Sequence, residues 1–354
     1  MKILHTSDLH LASPLTARLT GEKLRTRRGE LSLVLERTAE EAIYRGASVM
    51  IIAGDLFDTE RISNKDRERI FNTVNKYPTL DFLYLPGNHE RRTLFLGRDA
   101  MPTNLKVFDE GWTYFDYGIL RIAGRSELSR DMFDSYTADP CKKNIVVLHG
   151  SVAERSSDEA IGLRDAEGRG IDYLALGHYH SYGHYSLGDG GVAVYSGAPE
   201  GRGFDEAGAH GAVLIETDGE SVTHSFIKTA RREVVIKNVD ITTADTRLDI
   251  DRLVEGALSE ISRESLVRVV LTGRHSPKIS ADTDTLFRRY ADNFFYFEIK
   301  DESGIVIDPE EYRYDRSLKG EFIRLVTSAD MDEKLRERII KAGLMALAGD
   351  VSEV

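Results

Sequence analysis

Residues 47–53 read Ala-Ser-Val-Met-Ile-Ile-Ala and run directly into Gly54-Asp55. A segment so nearly free of polar side chains is buried on both faces, the position of an interior strand in a covered sheet. A carboxylate at the end of such a strand is costly unless it is paired or holds a cation. The same punctuation recurs along the chain. A strand at 1–7 meets Asp8-Leu9-His10, and one at 81–85 meets Gly87-Asn88-His89-Glu90. Strands at 145–148 and 173–176 meet His149-Gly150 and Gly177-His178-Tyr179-His180. Further strands are expected at 119–123, 192–195 and 212–216. Leu31, Val34, Leu35, Ala39, Ala42 and Ile43 lie at helical spacing, closed by Gly46, and a polar helix follows from about Ser63 to Lys76. Early strands alternate with helices and later ones follow one another, which predicts a layered α/β architecture around a mixed sheet core.

A composition shift near Thr229-Ala230-Arg231-Arg232 opens a second region. There the pattern predicts strand (233–237), helix (250–261), strand (266–272), helix (283–292) and strand (294–299), a compact β-α-β-α-β unit. The tail beyond Gly304 reads as helical at 318–326 and 331–347. The expected division is therefore 1–229, 230–303 and 304–354. There is no internal repeat or low-complexity segment.

The 354 residues suffice for one large domain with a smaller one appended. No apolar run is long enough to cross a bilayer, and the N-terminal residues lack the apolar core of a signal peptide. The single cysteine, Cys141, excludes an intrachain disulfide framework and fits a reducing cytoplasm; nothing beside it marks a nucleophile. A net charge of −12 argues against a generally basic nucleic-acid coat. It leaves DNA open as a substrate, because bound dications reverse the sign locally and a partner can supply phosphate contacts.

The motif residues are Asp, Asn and His, without sulfur, and they sit at strand ends, where open α/β sheets place their sites. Such donors suit divalent manganese, iron or zinc rather than calcium or a thiolate zinc site. Asp8 and His10, alternate residues of an extended segment, are expected on one face and so on one metal. His178 and His180 follow the same rule, unless a turn sends the two imidazoles to neighbouring metals. Asp55 is the natural bridge between two ions. Two dications set against two carboxylates leave the site positive and attractive to a phosphate, which they would clamp while activating water. His89, beside Asn88, is placed to protonate the leaving oxygen or stabilise the transition state.

As a set, Asp8-x-His10, Gly54-Asp55-x-x-Asp58, Gly87-Asn88-His89-Glu90, His149 and Gly177-His178-x-His180 resemble the motif series of the calcineurin-like metallophosphoesterases. The resemblance implies a two-sheet α/β/β/α sandwich and two divalent ions. One would be held by Asp8, His10, Asp55 and His180, the other by Asp55, Asn88, His149 and His178, with His89 as the catalytic histidine. More narrowly, residues 2–11, 53–58, 172–178 and 195–202, the last followed by Glu206 and Gly208, are similar to the SbcD nuclease group and its YhaO-like bacterial members. Ser196 stands where proline is common, and Glu90 where aspartate is frequent. The C-terminal β-α-β-α-β unit resembles that group's capping domain. This likeness implies manganese-dependent exonuclease and endonuclease action on DNA in double-strand-break repair. It also implies an SMC-like coiled-coil ATPase partner of the SbcC type, and it admits a homodimer. A phosphodiesterase or phosphatase for nucleotides or phosphoproteins, or a non-catalytic scaffold, would be the alternatives. The scaffold should have lost ligands.

Other polar residues have plainer readings. His5 is expected as a core histidine, and His184, His210, His224 and His275 carry no motif. Asp58 serves either to orient a ligand histidine or as a cap or loop residue. Arg25, Arg27 and Arg28 read as a solvated helix start before they read as phosphate contacts. Arg91, Arg92 and Arg202 stand open between the two. The apolar face around Ile339, Ile340, Leu344 and Met345 reads as packing on its own domain before it reads as a docking face for a partner ATPase.

Overall fold

The computed structural model describes residues 1–348 except 12, 14, 16, 58–61, 87–100, 189, 277, 278, 280 and 308. The chain divides into two units, Met1–Val234 and Val235–Val354, a few residues beyond the composition shift near Thr229.

In the first unit, Lys2–Thr6 (β1) and helices Gly21–Ser32 (α1) and Val34–Tyr44 (α2) lead to Val49–Ala53 (β2), Asn64–Lys76 (α3), Asp81–Leu85 (β3) and Leu105–Val107 (β4). Next come Thr113–Tyr117 (β5), Leu120–Gly124 (β6), Lys143–His149 (β7), Ser151–Ala153 (β8), Ala160–Gly162 (β9) and Tyr173–Gly177 (β10). Gly183–Ser186 (β11), Val192–Tyr195 (β12), Gly211–Thr217 (β13) and Val222–Lys228 (β14) complete it. Two six-stranded sheets result, in the orders β14-β13-β1-β2-β3-β4 and β11-β12-β10-β7-β6-β5, while β8 and β9 pair separately. β1, β2, β3 and β4 are mutually parallel, as are β6, β7, β10 and β12; antiparallel strands flank them.

β2 shows why the sheets stack. All five of its residues are buried. Val49, Ile51 and Ala53 join Ile3, Leu83, Ile145, Val147 and Ala175 in the layer between the sheets. Met50 and Ile52 face the other way, into a layer with Val34, Leu35, Ala39 and Ala42 of α2 and Ile70, Phe71 and Val74 of α3. Burying each large aliphatic side chain is worth roughly 1.5–3 kcal/mol, so both faces of the strand favour this placement. The outer face of the second sheet is covered differently. A 3-10 turn, Met132–Asp134, and the one-turn helix Leu163–Ala166 contribute Met132, Phe133 and Ala166 to its cluster. The helical layer there is short, but the expected two-sheet α/β/β/α sandwich is what forms.

α1 differs from the sequence reading. Arg27 does not lie on a solvated helix start; it is fully buried. It donates to Glu200 at 3.0 Å and to the Gly201 carbonyl at 2.5 Å, while Arg37 meets the other Glu200 oxygen at 2.6 Å. Helix α1 carries no apolar stripe, and ion pairs anchor it where an aliphatic face would otherwise do so.

Val234–Asp240 (β15) begins at the boundary, and the second unit goes on with Arg247–Leu258 (α4), Leu266–Thr272 (β16), Arg274–His275 (β17), Thr283–Tyr290 (α5), Tyr296–Asp301 (β18) and Gly304–Ile305 (β19). Its sheet runs β15-β16-β18, with β16 and β18 parallel. Ile250, Val254 and Leu258 of α4 and Leu286 and Tyr290 of α5 cover Val267, Val269, Leu271 and Phe297. A capping box at Thr246 and Asp249 starts α4. Leu318–Ser328 (α6) and Glu333–Ala348 (α7) follow, with Ile323 and Ile340 buried. Among the described residues no helix is long and apolar enough to cross a membrane.

Candidate metal centre

The parallel ladder between β1 and β2 continues past both strand ends. Asp8 N–H donates to the Gly54 carbonyl at 3.1 Å, His10 N–H to Asp55 at 3.0 Å and Leu11 N–H to Leu56 at 2.8 Å. In the other sheet β7 and β10 run in register to their last residues, His149 opposite Gly177, and Gly150 N–H donates to Gly177 at 3.2 Å. The ring of His149 then crosses between the sheets, its Nδ1 lying 2.9 Å from the Ala53 carbonyl. Two glycines make this crossing fit. A Cβ on Gly54, whose φ is +90°, would lie 2.1 Å from His149 Nδ1. One on Gly177 would lie 1.8 Å from the Ala53 carbonyl oxygen.

Backbone strain is concentrated at the same place. Among the described residues, the non-glycine positions with positive φ are Asp8 (53°), His10 (45°), Asp55 (48°) and His178 (113°). Each is a motif residue. Conformations of this kind cost about 1–3 kcal/mol per residue and persist where the surroundings over-determine them, commonly at functional sites. This corrects one expectation. Asp8 and His10 lie beyond β1 in the left-handed region, so their side chains converge through turn geometry and not through strand alternation.

The side chains form two overlapping groups. Asp8, His10 and His180 offer ligand atoms all within 4.8 Å of one another, and so do Asp8, Asp55 and His149. The Nε2 atoms of His10 and His180 face each other at 3.1 Å. Each lies 3.9 Å from Asp8 Oδ1. Asp55 Oδ2 sits between the groups, 3.9 Å from His10 Nε2 and 3.4 Å from His149 Nε2. His178 turns to the far side, its ring 5.6 Å from that of His149. The two imidazoles of the Gly177-to-His180 motif therefore point to different neighbours. The His178 backbone N–H donates to both Asp8 carboxylate oxygens, at 3.1 and 3.0 Å. Six of the expected ligands are thus gathered at the ends of strands from both sheets. Asn88, His89, Asp58, Glu90, Arg91 and Arg92 lie outside the described residues.

Charges follow from this crowding. Burial pushes the Asp55 carboxyl up. The hydrogen bond and charge of His149, with the charges of His10 and His178, outweigh it and hold Asp55 below the usual carboxylate range. Burial pulls His149 down, but Asp55 and Asp8 lift it to about 9. Burial and the neighbouring His149 charge lower His178. Convergent imidazole Nε2 and carboxylate oxygen atoms, with like groups at van der Waals distance, are the donor set that a divalent cation reconciles.

Glu206, given no role from the sequence, and Arg202, left open there between phosphate contact and solvated charge, complete the surroundings. Glu206, 7% exposed, lies 2.7 Å from His180 Nδ1. Arg202 turns its guanidinium and backbone N–H onto the same carboxylate, at 2.6–2.9 Å, and not outward toward phosphate. Their spacing in a Gly-rich, polar stretch looks like an exposed loop, and no hydropathy signal marks a buried carboxylate there. His5 is fully buried against Tyr173, and both ring nitrogens of His210 face backbone carbonyls.

A two-sheet sandwich with imidazoles and carboxylates gathered at the strand ends of both sheets is the arrangement of a candidate metal centre. Residues 1–182 match the family model described as calcineurin-like phosphoesterase, and the chain belongs to that family, whose members use divalent metals. It is similar to proteins named DNA double-strand break repair protein Mre11. The relative from Methanopyrus kandleri is 28% identical over 265 residues, 64% of this chain and 57% of its own length. That from Saccharolobus solfataricus is 24% identical over 344 residues, 89% and 86%. That from Sulfurisphaera tokodaii is 24% identical over 302 residues, 78% and 75%. The chain thus spans little more than half of the first relative.

Proposed function

We propose that this chain is a manganese-dependent DNA nuclease of the SbcD type, hydrolysing phosphodiester bonds with two divalent ions. The observation that carries this reading is the convergence of Asp8, His10, Asp55, His149, His178 and His180, from two sheets, on one small volume. Asp8, His10, Asp55 and His180 would hold one ion, and Asp55, His149 and His178 with Asn88 the other. Bound there, the ions supply stabilisation of the phosphodiester's charge and activation of water. Asp55 spans the two donor groups and sets their spacing. His149 keeps its Nδ1 on the Ala53 carbonyl, so that Nε2 is presented inward. His89 would protonate the leaving oxygen or stabilise the transition state. Residues 230–303 act as the capping domain. The relatives' names favour DNA as the substrate, and double-strand-break repair as the setting.

The net charge of −12 means that little long-range attraction brings the chain to DNA. An SMC-like coiled-coil ATPase of the SbcC type then supplies the missing phosphate contacts, which makes the complex the working enzyme.

Turnover of end-labelled linear duplex, single-stranded DNA, a small phosphodiester and a phosphomonoester should be compared with manganese present. DNA and the small diester should be cut, and His89→Gln should abolish both while manganese stays bound. Hydrolysis of the monoester alone would point to a phosphatase. A fully metallated protein inert toward DNA, with and without its ATPase, would overturn the nuclease reading.

A further inference from the structure

His180 can bind a cation through Nε2 only if its ring hydrogen sits on Nδ1, and neutral imidazole has no strong preference of its own. His149 solves the same problem with a backbone carbonyl, Ala53 O at 2.9 Å from Nδ1. For His180 the group in that position is a buried carboxylate. Glu206 Oε1 lies 2.7 Å from Nδ1, while Nε2 points at Nε2 of His10, 3.1 Å away.

The carboxylate is itself held in place. Oε1 accepts from Arg202 Nε at 2.9 Å and Nη2 at 2.6 Å, and Oε2 accepts from the Arg202 backbone N–H at 2.7 Å. One turn further on, the His210 ring lies 2.6 Å from the Glu206 carbonyl oxygen, pinning the same short stretch of chain. Arg202 alone could neutralise Glu206. The short contact to Nδ1 is therefore additional to what a buried carboxylate requires.

We propose that Glu206, fixed by Arg202, is the positioning residue of His180. It holds the hydrogen on Nδ1, sets the ring plane, and leaves the Nε2 lone pair aimed at the cation shared with His10 and Asp8. This rests on the metal-centre reading above. Groups that orient a ligand histidine in this way typically carry a 10–100-fold effect on metal affinity.

The test is manganese titration of the full chain by calorimetry, for wild type, Glu206→Gln and Glu206→Ala, with nitrogen NMR of the histidine rings in metal-free wild type. His180 should be the Nδ1–H tautomer when neutral. Glu206→Ala should lose 10–100-fold in affinity at one of two manganese sites. Glu206→Gln, whose amide oxygen still accepts from Nδ1–H, should lose less. A Glu206→Ala chain with altered thermal stability but wild-type affinity would overturn the proposal, as would an Nε2–H tautomer in the wild type. If Glu206→Ala does not fold, the tautomer and the glutamine variant decide. A wild-type chain that binds no manganese sinks the metal centre itself; wild-type binding with an equally competent Glu206→Ala sinks only the role of Glu206.

Discussion

At the scale of single residues, the site holds backbone that the rest of the fold must pay for. His178, at φ 113°, bears strain on the order of 1–3 kcal/mol. Glycine there would release it and add back roughly 0.5–1 kcal/mol of chain entropy. His178→Gly should therefore leave the metal-free protein as stable as wild type or up to about 2.5 kcal/mol more stable, with hydrolysis lost. The single tryptophan, Trp112, lies in the first unit, so its fluorescence during urea unfolding in a chelator reads this directly. A loss of stability greater than about 1 kcal/mol would contradict the strain argument. His5 behaves in another way. Burial pushes its pKa down from 6.5 to about 3, and its Nδ1 meets the Tyr173 hydroxyl at 2.9 Å. The unfolded chain takes up a proton as pH falls below 6.5, and the folded chain does not until about 3. Stability from this residue is thus complete above pH 6.5 and drains away as pH falls toward 3. Between those values it should contribute a slope of about 1.4 kcal/mol per pH unit. His5→Gln, which keeps a polar partner for Tyr173, should remove that slope in unfolding measured from pH 6 to pH 4.

At the scale of elements, α1 is the instructive case. Its one buried side chain is Arg27, which meets Glu200 from the loop after β12. Glu200 also accepts from Arg37 and from the backbone N–H groups of Arg231 and Arg232. Arg232 in turn pairs with Glu30 of α1, at 2.7 Å. Burial raises the Glu30 carboxyl, but Arg232 and Arg27 outweigh it and hold it below its usual range. Removing Glu200 takes the nearer carboxylate from a fully buried guanidinium and leaves it Glu30 at 3.2 Å and the Gly201 carbonyl, so Glu200→Ala should cost about 3 kcal/mol in denaturant unfolding. A change below about 1 kcal/mol would mean that Glu30 alone satisfies Arg27. The sequence announced a helix start here but not its burial, because that burial is ionic and hydropathy counts Arg27 as surface. By contrast β2, β3, β10 and β12 are legible from their unbroken apolar runs. The edge strands β4, β5, β8, β9 and β11 are short or polar and give no such run, although β14 does alternate inward and outward along Val222–Lys228. At the candidate site the motif series was legible as a resemblance, which also implied the grouping of Asp8, His10, Asp55, His149, His178 and His180. The local geometry was not, since it depends on left-handed turns at Asp8, His10, Asp55 and His178 that no residue pattern encodes.

At the scale of the whole molecule, the two units should respond to metal independently. Manganese at 100 times its dissociation constant should stabilise the first unit by about 2.7 kcal/mol. Hydrogen exchange should therefore slow in β1, β2, β7 and β10 on adding manganese and stay unchanged in β16 of the second unit. Equal protection in β16 would show that the units unfold as one. The crossing of the His149 ring onto the Ala53 carbonyl carries a consequence for synthesis. A chain leaving the ribosome offers Asp8, His10 and Asp55 well before His149, His178 and His180 exist. At about 5–20 residues per second the interval is on the order of ten seconds. During it the nascent chain carries only two of the carboxylates and one of the imidazoles of the proposed centre. In the proposed centre the full donor set would exist only once the second sheet is in place, so the choice of ion would fall late, to the imidazoles translated last.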